Sequence, residues 1–155
     1  MLPKNVQEKI EEAIMLVRRT PGYSGIAQEL AQLLADGNIC YHAGLEDRAH
    51  AGLLGTITLG AEPFAPEGTV LGLAETLVHE RFHLHQNPLL KTASFWTGIV
   101  TRADPMIAYE RPAYQAAAQF LEVYRAAHPA GADEADAELV AVRDTFESSY
   151  GEALS

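Results

Sequence analysis

One cysteine, Cys40, stands in 155 residues. No intramolecular disulfide can form from it, and a multi-cysteine zinc site is excluded. Basic residues are also scarce: 11 Lys and Arg against 21 Asp and Glu leave a formal net charge of −10. That balance argues against a nucleic-acid backbone as partner and mildly favours basic or neutral substrates. No apolar run approaches the ~18 residues needed to span a membrane. The opening Met1-Leu2-Pro3-Lys4-Asn5 leads into an amphipathic pattern instead of an apolar signal core. The expectation is therefore a cytoplasmic protein with no membrane partner.

What is present fits one compact domain over residues 1–155: hydrophobic residues make up 48% and charged residues 21%, ordinary values for a globular chain with a real core. Residues 1–37 read as two amphipathic helices, 4–19 and 24–35. Thr20-Pro21-Gly22 stops the first and Asp36-Gly37-Asn38 the second. The period then changes. Ile39-Cys40-Tyr41-His42 and Leu53–Leu59 read as strands, with a polar loop from Ala43 to Gly52 between them, so residues 38–60 are expected to form a loose antiparallel β-hairpin. A helix follows over 69–87, capped by Thr69 and stopped by Asn87-Pro88. Residues 88–102 form an apolar segment expected to fold over that helix. C-terminal helices fill 104–155, opened by Asp104-Pro105, with Pro112 expected to kink the first or move its start, and a short linker at 129–133. The fold class implied is α+β, predominantly helical, with a small sheet on a central helix.

The central helix carries His79-Glu80-Arg81-Phe82-His83, the HExxH pattern. Residues four apart on a helix lie about 40° apart around the axis, so the two imidazoles project together. Two nitrogen donors on one rigid element make half of a tetrahedral zinc site. Glu80, about 100° round from His79, is placed to act as a general base on a water there. Leu73, Leu77 and Leu84 fall on one flank of this strip, with Leu71, Val78 and Phe82 on the other, so the helix should be mostly buried. Glu75 and Gln86 share the strip and are candidates for orienting the imidazoles.

Zinc needs at least one more protein donor. On the helix after Asp104, Met106, Ala113, Tyr114, Ala117 and Leu121 cluster around Glu110, a lone carboxylate on an apolar stripe. Buried carboxylates require a partner. Glu110 is then either the third metal ligand or half of an ion pair with Arg81 or Arg111. His85 projects to the opposite side of its helix from His83, and Asp104 is accounted for as a cap. His42, His50 and His128 have no spacing that argues for ligation.

His79-Glu80-x-x-His83 followed by Glu110 on a later helix resembles the gluzincin branch of the zincin metallopeptidases. With Gln86 the motif reads HExxHxxQ, similar to small bacterial zincin-like domains. The spacing to Glu110 differs from the best-known gluzincins, and no Gly-x-x-His or Gly-x-x-Asp extension follows His83. The resemblance implies a minimal zincin-like fold and Leu53–Leu59 as an edge strand on which a peptide could pair. In the corresponding chemistry, Zn2+ is held by His79, His83 and Glu110, and Glu80 is the base in hydrolysis of a peptide or protein substrate. Tyr114 is the first candidate to stabilise the oxyanion, with Tyr109 and His50 as alternatives. A non-catalytic zinc-binding or interaction module would keep the ligands without depending on Glu80. A metal-free helical protein would hold the same residues by hydrogen bonds and ion pairs.

Overall fold

The computed structural model describes residues 1–52, 54–86 and 106–155. Among them the chain forms five α-helices and a three-stranded sheet, an α+β fold dominated by helix. Helices α1 (Lys4–Arg19) and α2 (Ser24–Ala35) lie where the apolar periodicity places them. Gly37 ends α2 at φ 73°. The Asn38 N–H donates to Leu33 O and the Gly37 N–H to Leu34 O, so the carbonyls of the last turn are satisfied.

The sheet departs from the expected hairpin. Strands β1 (Ile39–Tyr41), β2 (Ala49–Ala51) and β3 (Ile57–Leu59) stand in the order β1-β3-β2. β1 pairs parallel with β3, and β2 pairs antiparallel with β3, so the sheet is mixed. The strand expected over 53–59 is shorter at its start. The Gly52 N–H donates to Thr56 O at 2.7 Å, and Gly55 turns the chain at φ 78°, leaving Leu54 93% exposed. Leu53 itself lies outside the described residues. β3 is the central strand and not an edge, because Ala49-His50-Ala51 pairs with its free side. Two alanines around a histidine carry little strand preference, which is why β2 read as loop.

Helix α3 (Val70–His85) begins at Thr69, whose hydroxyl accepts from the Gly72 N–H at 2.9 Å. Lys9 of α1 steadies the chain leading into it, donating to Pro63 O and Gly68 O, both at 2.7 Å. A Cβ at Gly68 would lie 2.5 Å from Pro63 O, so only glycine permits this approach. α3 is then buried continuously from Leu71 to Val78. Leu73, Ala74, Leu77 and Val78 pack into one apolar cluster with α1, α2, Ile39, Ile57, Leu59 and Phe120. Leu71 enters a second cluster with Leu121, Leu139, Val142, Phe146 and Leu154. Val78 thus belongs with Leu73 and Leu77, because the first cluster wraps further round the helix than a two-flank division allows.

The second cluster is built by α4 (Ile107–Ala127) and α5 (Ala132–Tyr150), joined by a short 3-10 turn at Pro129–Gly131. α4 continues through Pro112 instead of stopping there. The carbonyl that Pro112 cannot serve belongs to Ala108, an exposed residue within reach of water. The expected cap at Asp104-Pro105 and the apolar segment 88–102 lie outside the described residues.

Candidate metal centre

The polar strip on α3 points between the two apolar clusters. The side chains of His83 and His79 are 4% and 12% exposed, and Glu80 as a residue is 7% exposed. Their Nε2 atoms stand 3.1 Å apart. Glu110, in the first turn of α4, completes the group: its Oε2 lies 3.0 Å from His83 Nε2 and 3.4 Å from His79 Nε2. The alternative ion pairs for Glu110 are ruled out by where the arginines go. Arg81 binds Glu29 on α2 at 2.8 Å, and Arg111 turns to Glu152 and the carbonyls of Ala153 and Leu154.

Donor separations of 3.0–3.4 Å match the edge of a small tetrahedron. A cation with bonds of about 2.0–2.1 Å spaces adjacent ligand atoms about 3.3–3.4 Å apart. His79, His83 and Glu110 are accordingly a group able to hold a metal ion. The hydrogen-bond roles point the same way. The Gln86 Nε2 donates to Tyr109 O at 2.9 Å, which turns its Oε1 toward His83 Nδ1 at 2.5 Å. With Nδ1 donating to Gln86, the His83 Nε2 presents a lone pair when the ring is neutral and donates to Glu110 only when the ring carries a second proton. That lone pair meets the Nε2 of His79 and a carboxylate oxygen. Electron-rich atoms converging so closely need a positive centre among them, either a proton or a metal.

The electrostatics reflect this crowding. Burial opposes ionisation of Glu110, but hydrogen bonds from His79 and His83 outweigh it and bring its pKa down to about 2. Burial likewise opposes a charged His79, yet its bond to Glu110, with Glu80 and Glu75 nearby, raises its pKa. Glu80 and Glu75 are both pushed up by burial, against the pull of His79 on each. Tyr114 is pushed up to about 12, by burial first and then by Glu110, Glu75 and Glu80.

Aromatic rings fix the group laterally. Tyr109 stacks on His83 with centroids 4.4 Å apart and planes 15° from parallel, while Tyr114 meets His79 edge-on at 4.7 Å. Both line, with Glu80, a cleft of about 580 Å³ over the donors. Strand β2 and the residues before it form one wall, and Val142, Thr145 and Ser149 of α5 line another part. His50 projects from β2 into this cleft, close enough to influence Glu80. His85 instead pairs with Glu29, on the far side of α3. His128 packs at a tilt against Tyr124, and neither it nor His42 joins the cleft. Arg48 and β2 are features of the site that no spacing in the chain announced; only the polar loop between two strand-like stretches marked their place. No family model, curated protein or solved structure matches this chain.

Proposed function

We propose that His79, His83 and Glu110 bind zinc, and that the protein is a zinc-dependent, gluzincin-like metallopeptidase with Glu80 as general base. The observation that carries the proposal is the convergence of three electron-rich donors from two packed helices at the floor of an open cleft. Zinc held by these donors supplies Lewis acidity that activates water near neutral pH. Glu80 takes the proton of the attacking water and returns it to the leaving amine. Burial raises the proton affinity of the Glu80 carboxylate above its ordinary value, the direction a proton-accepting base requires. Tyr114 keeps its hydroxyl proton throughout the neutral range and donates a hydrogen bond as charge develops on the carbonyl oxygen. Gln86 and Tyr109 hold the His83 ring in the ligating tautomer and orientation.

A peptide can pair along the outer edge of β2, which replaces β3 as the edge strand beside the site. Among the described residues the cleft is lined by Glu46, Asp47, Glu62, Glu75, Glu80 and Glu110, with Arg48 as the one Lys or Arg. Acidic substrate side chains are disfavoured there, and basic or neutral ones are accepted. Zinc-loaded protein should hydrolyse members of a mixed peptide library. The Glu80→Gln variant should retain the metal while the rate falls by about 10²–10⁴-fold. Equal hydrolysis in the variant, or none in the wild type, would leave zinc binding without catalysis as the reading.

A further inference from the structure

β2 is a slight wall for a binding cleft. Three residues paired on one side make few backbone hydrogen bonds, and such edges open readily. The residue before it, Arg48, is anchored in two directions. Its carbonyl accepts from the Gly60 N–H at 2.8 Å, just past β3. The chains are so close here that a Cβ at Gly60 would lie 2.3 Å from Asp47 O. The guanidinium reaches the other way. Its Nη1 lies 3.8 Å from Glu75 Oε2 on α3 and its Nε 3.4 Å from Glu62 Oε1 in the 3-10 turn Glu62–Phe64, both charge–charge contacts, with no hydrogen-bond partner for Nε among the described residues.

The surface of α3 is open at this point because residue 72 is glycine. A Cβ there would sit 3.4 Å from Arg48 Nη2 and 3.1 Å from Glu138 Oε1. Glu75 is only 5% exposed and lies one turn before His79 on the same strip. A carboxylate so buried requires a counter-charge; His79 supplies part of it, and among the described residues Arg48 is the arginine within ion-pairing distance. One residue thus joins the sheet, through its backbone, to the metal-site helix, through its side chain.

Resting on the peptidase reading of the cleft, we propose that Arg48 is a positioning residue that pins the substrate-pairing edge strand to α3 through Glu75. Arg48 touches neither the metal donors nor the scissile bond in this scheme. It sets the distance between the strand that receives the peptide and the helix that carries His79 and Glu80.

Amide hydrogen exchange across the whole chain tests this directly. In Arg48→Met, the amide of His50, whose N–H faces Thr58 of β3, should exchange about tenfold faster or more, while those of α1 and α4 remain as in wild type. Arg48→Lys should retain part of the protection. Arg48→Met alone leaves Glu75 buried without its cation, so Arg48→Met/Glu75→Gln is measured beside it, and the His50 amide should stay fast there too. With zinc-loaded protein and a quenched fluorescent peptide from the mixed library, Arg48→Met should raise KM by about fivefold and leave kcat within about twofold. The proposal is overturned by a wild-type His50 amide that is already unprotected, by exchange unchanged in Arg48→Met, or by a uniform rise over the chain. Protection restored in the double variant, or a fall in kcat at unchanged KM, overturns it equally. The exchange comparison requires neither metal nor substrate. A protein that binds no zinc would therefore sink the peptidase reading and leave the Arg48 result standing.

Discussion

Helix α3 and strand β2 both line the cleft, and they are held in place by opposite means. α3 is 16 residues long, capped by Thr69, and buried on nearly all sides between two apolar clusters. β2 is three residues long, pairs on one side with β3, and exposes His50. The first is rigid because burial of many side chains fixes it. The second is placed by a few contacts from its neighbours, Arg48 foremost. Metal ligands need fixed positions, since their donor atoms must stay within tenths of an ångström. Under the proposed function β2 would receive variable peptides, a role that tolerates looser attachment. The cleft combines both kinds of wall.

This contrast can be broken first by stability. Leu77 is wholly buried in α3, so Leu77→Ala should cost about 2–5 kcal/mol in chemical denaturation. Leu54, in the turn between β2 and β3, is 93% exposed, so Leu54→Ala should change stability by less than about 0.5 kcal/mol. Comparable losses at the two positions would remove the distinction between the regions. The next effect is smaller and is specific to the metal. Gln86→Ala frees His83 from the link to Tyr109 and should weaken zinc binding by about 10–100-fold in competition with a chelator, while Leu54→Ala leaves it unchanged.

The smallest effect is that of pH on the metal-free protein. His79 has a raised pKa, so its contribution to stability is complete below the ordinary histidine value and is lost as pH rises through the folded value. The raised values of Glu75 and Glu80 act in the same direction. Glu110, held down to about 2, contributes fully above the ordinary carboxylate value of 4.5 and loses its contribution as pH falls from there toward 2. Chelator-treated protein should therefore have a lower Tm at pH 8 than at pH 6. The rise in Tm on adding zinc should be larger at pH 8, because ligation needs His79 deprotonated. A zinc-induced rise that shrinks from pH 6 to pH 8 would argue against ligation by His79.

The two regions also differed in how far they could be read from the chain. α3 repeats its apolar signal over four turns, and Thr69 and the Asn87-Pro88 pair mark its ends. Its His79 and His83 could thus be placed on one strip, with Glu80 about 100° round the axis. Glu110 stood out because one carboxylate interrupts an apolar stripe. Which partner it takes was open, since Arg81 and Arg111 were equally plausible in the chain; their pairing with Glu29 and Glu152 depends on tertiary placement. The sheet was another matter. Strands of three residues carry too little pattern to fix register or neighbour order, and Ala49-His50-Ala51 has no apolar alternation beyond its alanines. Pairing of β1 with β3 is set by joint burial of Ile39 and Ile57, a contact between distant segments. The role of Arg48 was hidden for the same reason.

The central claim is that His79, His83 and Glu110 form one metal site, and zinc stoichiometry tests it most directly. Protein expressed in zinc-replete medium and freed of loose metal should carry about one equivalent of zinc. Glu110→Ala should lower the affinity by about a thousandfold and emerge from the same treatment without metal. Less than about half an equivalent in the wild type, or zinc retained with unchanged affinity in Glu110→Ala, would contradict the account.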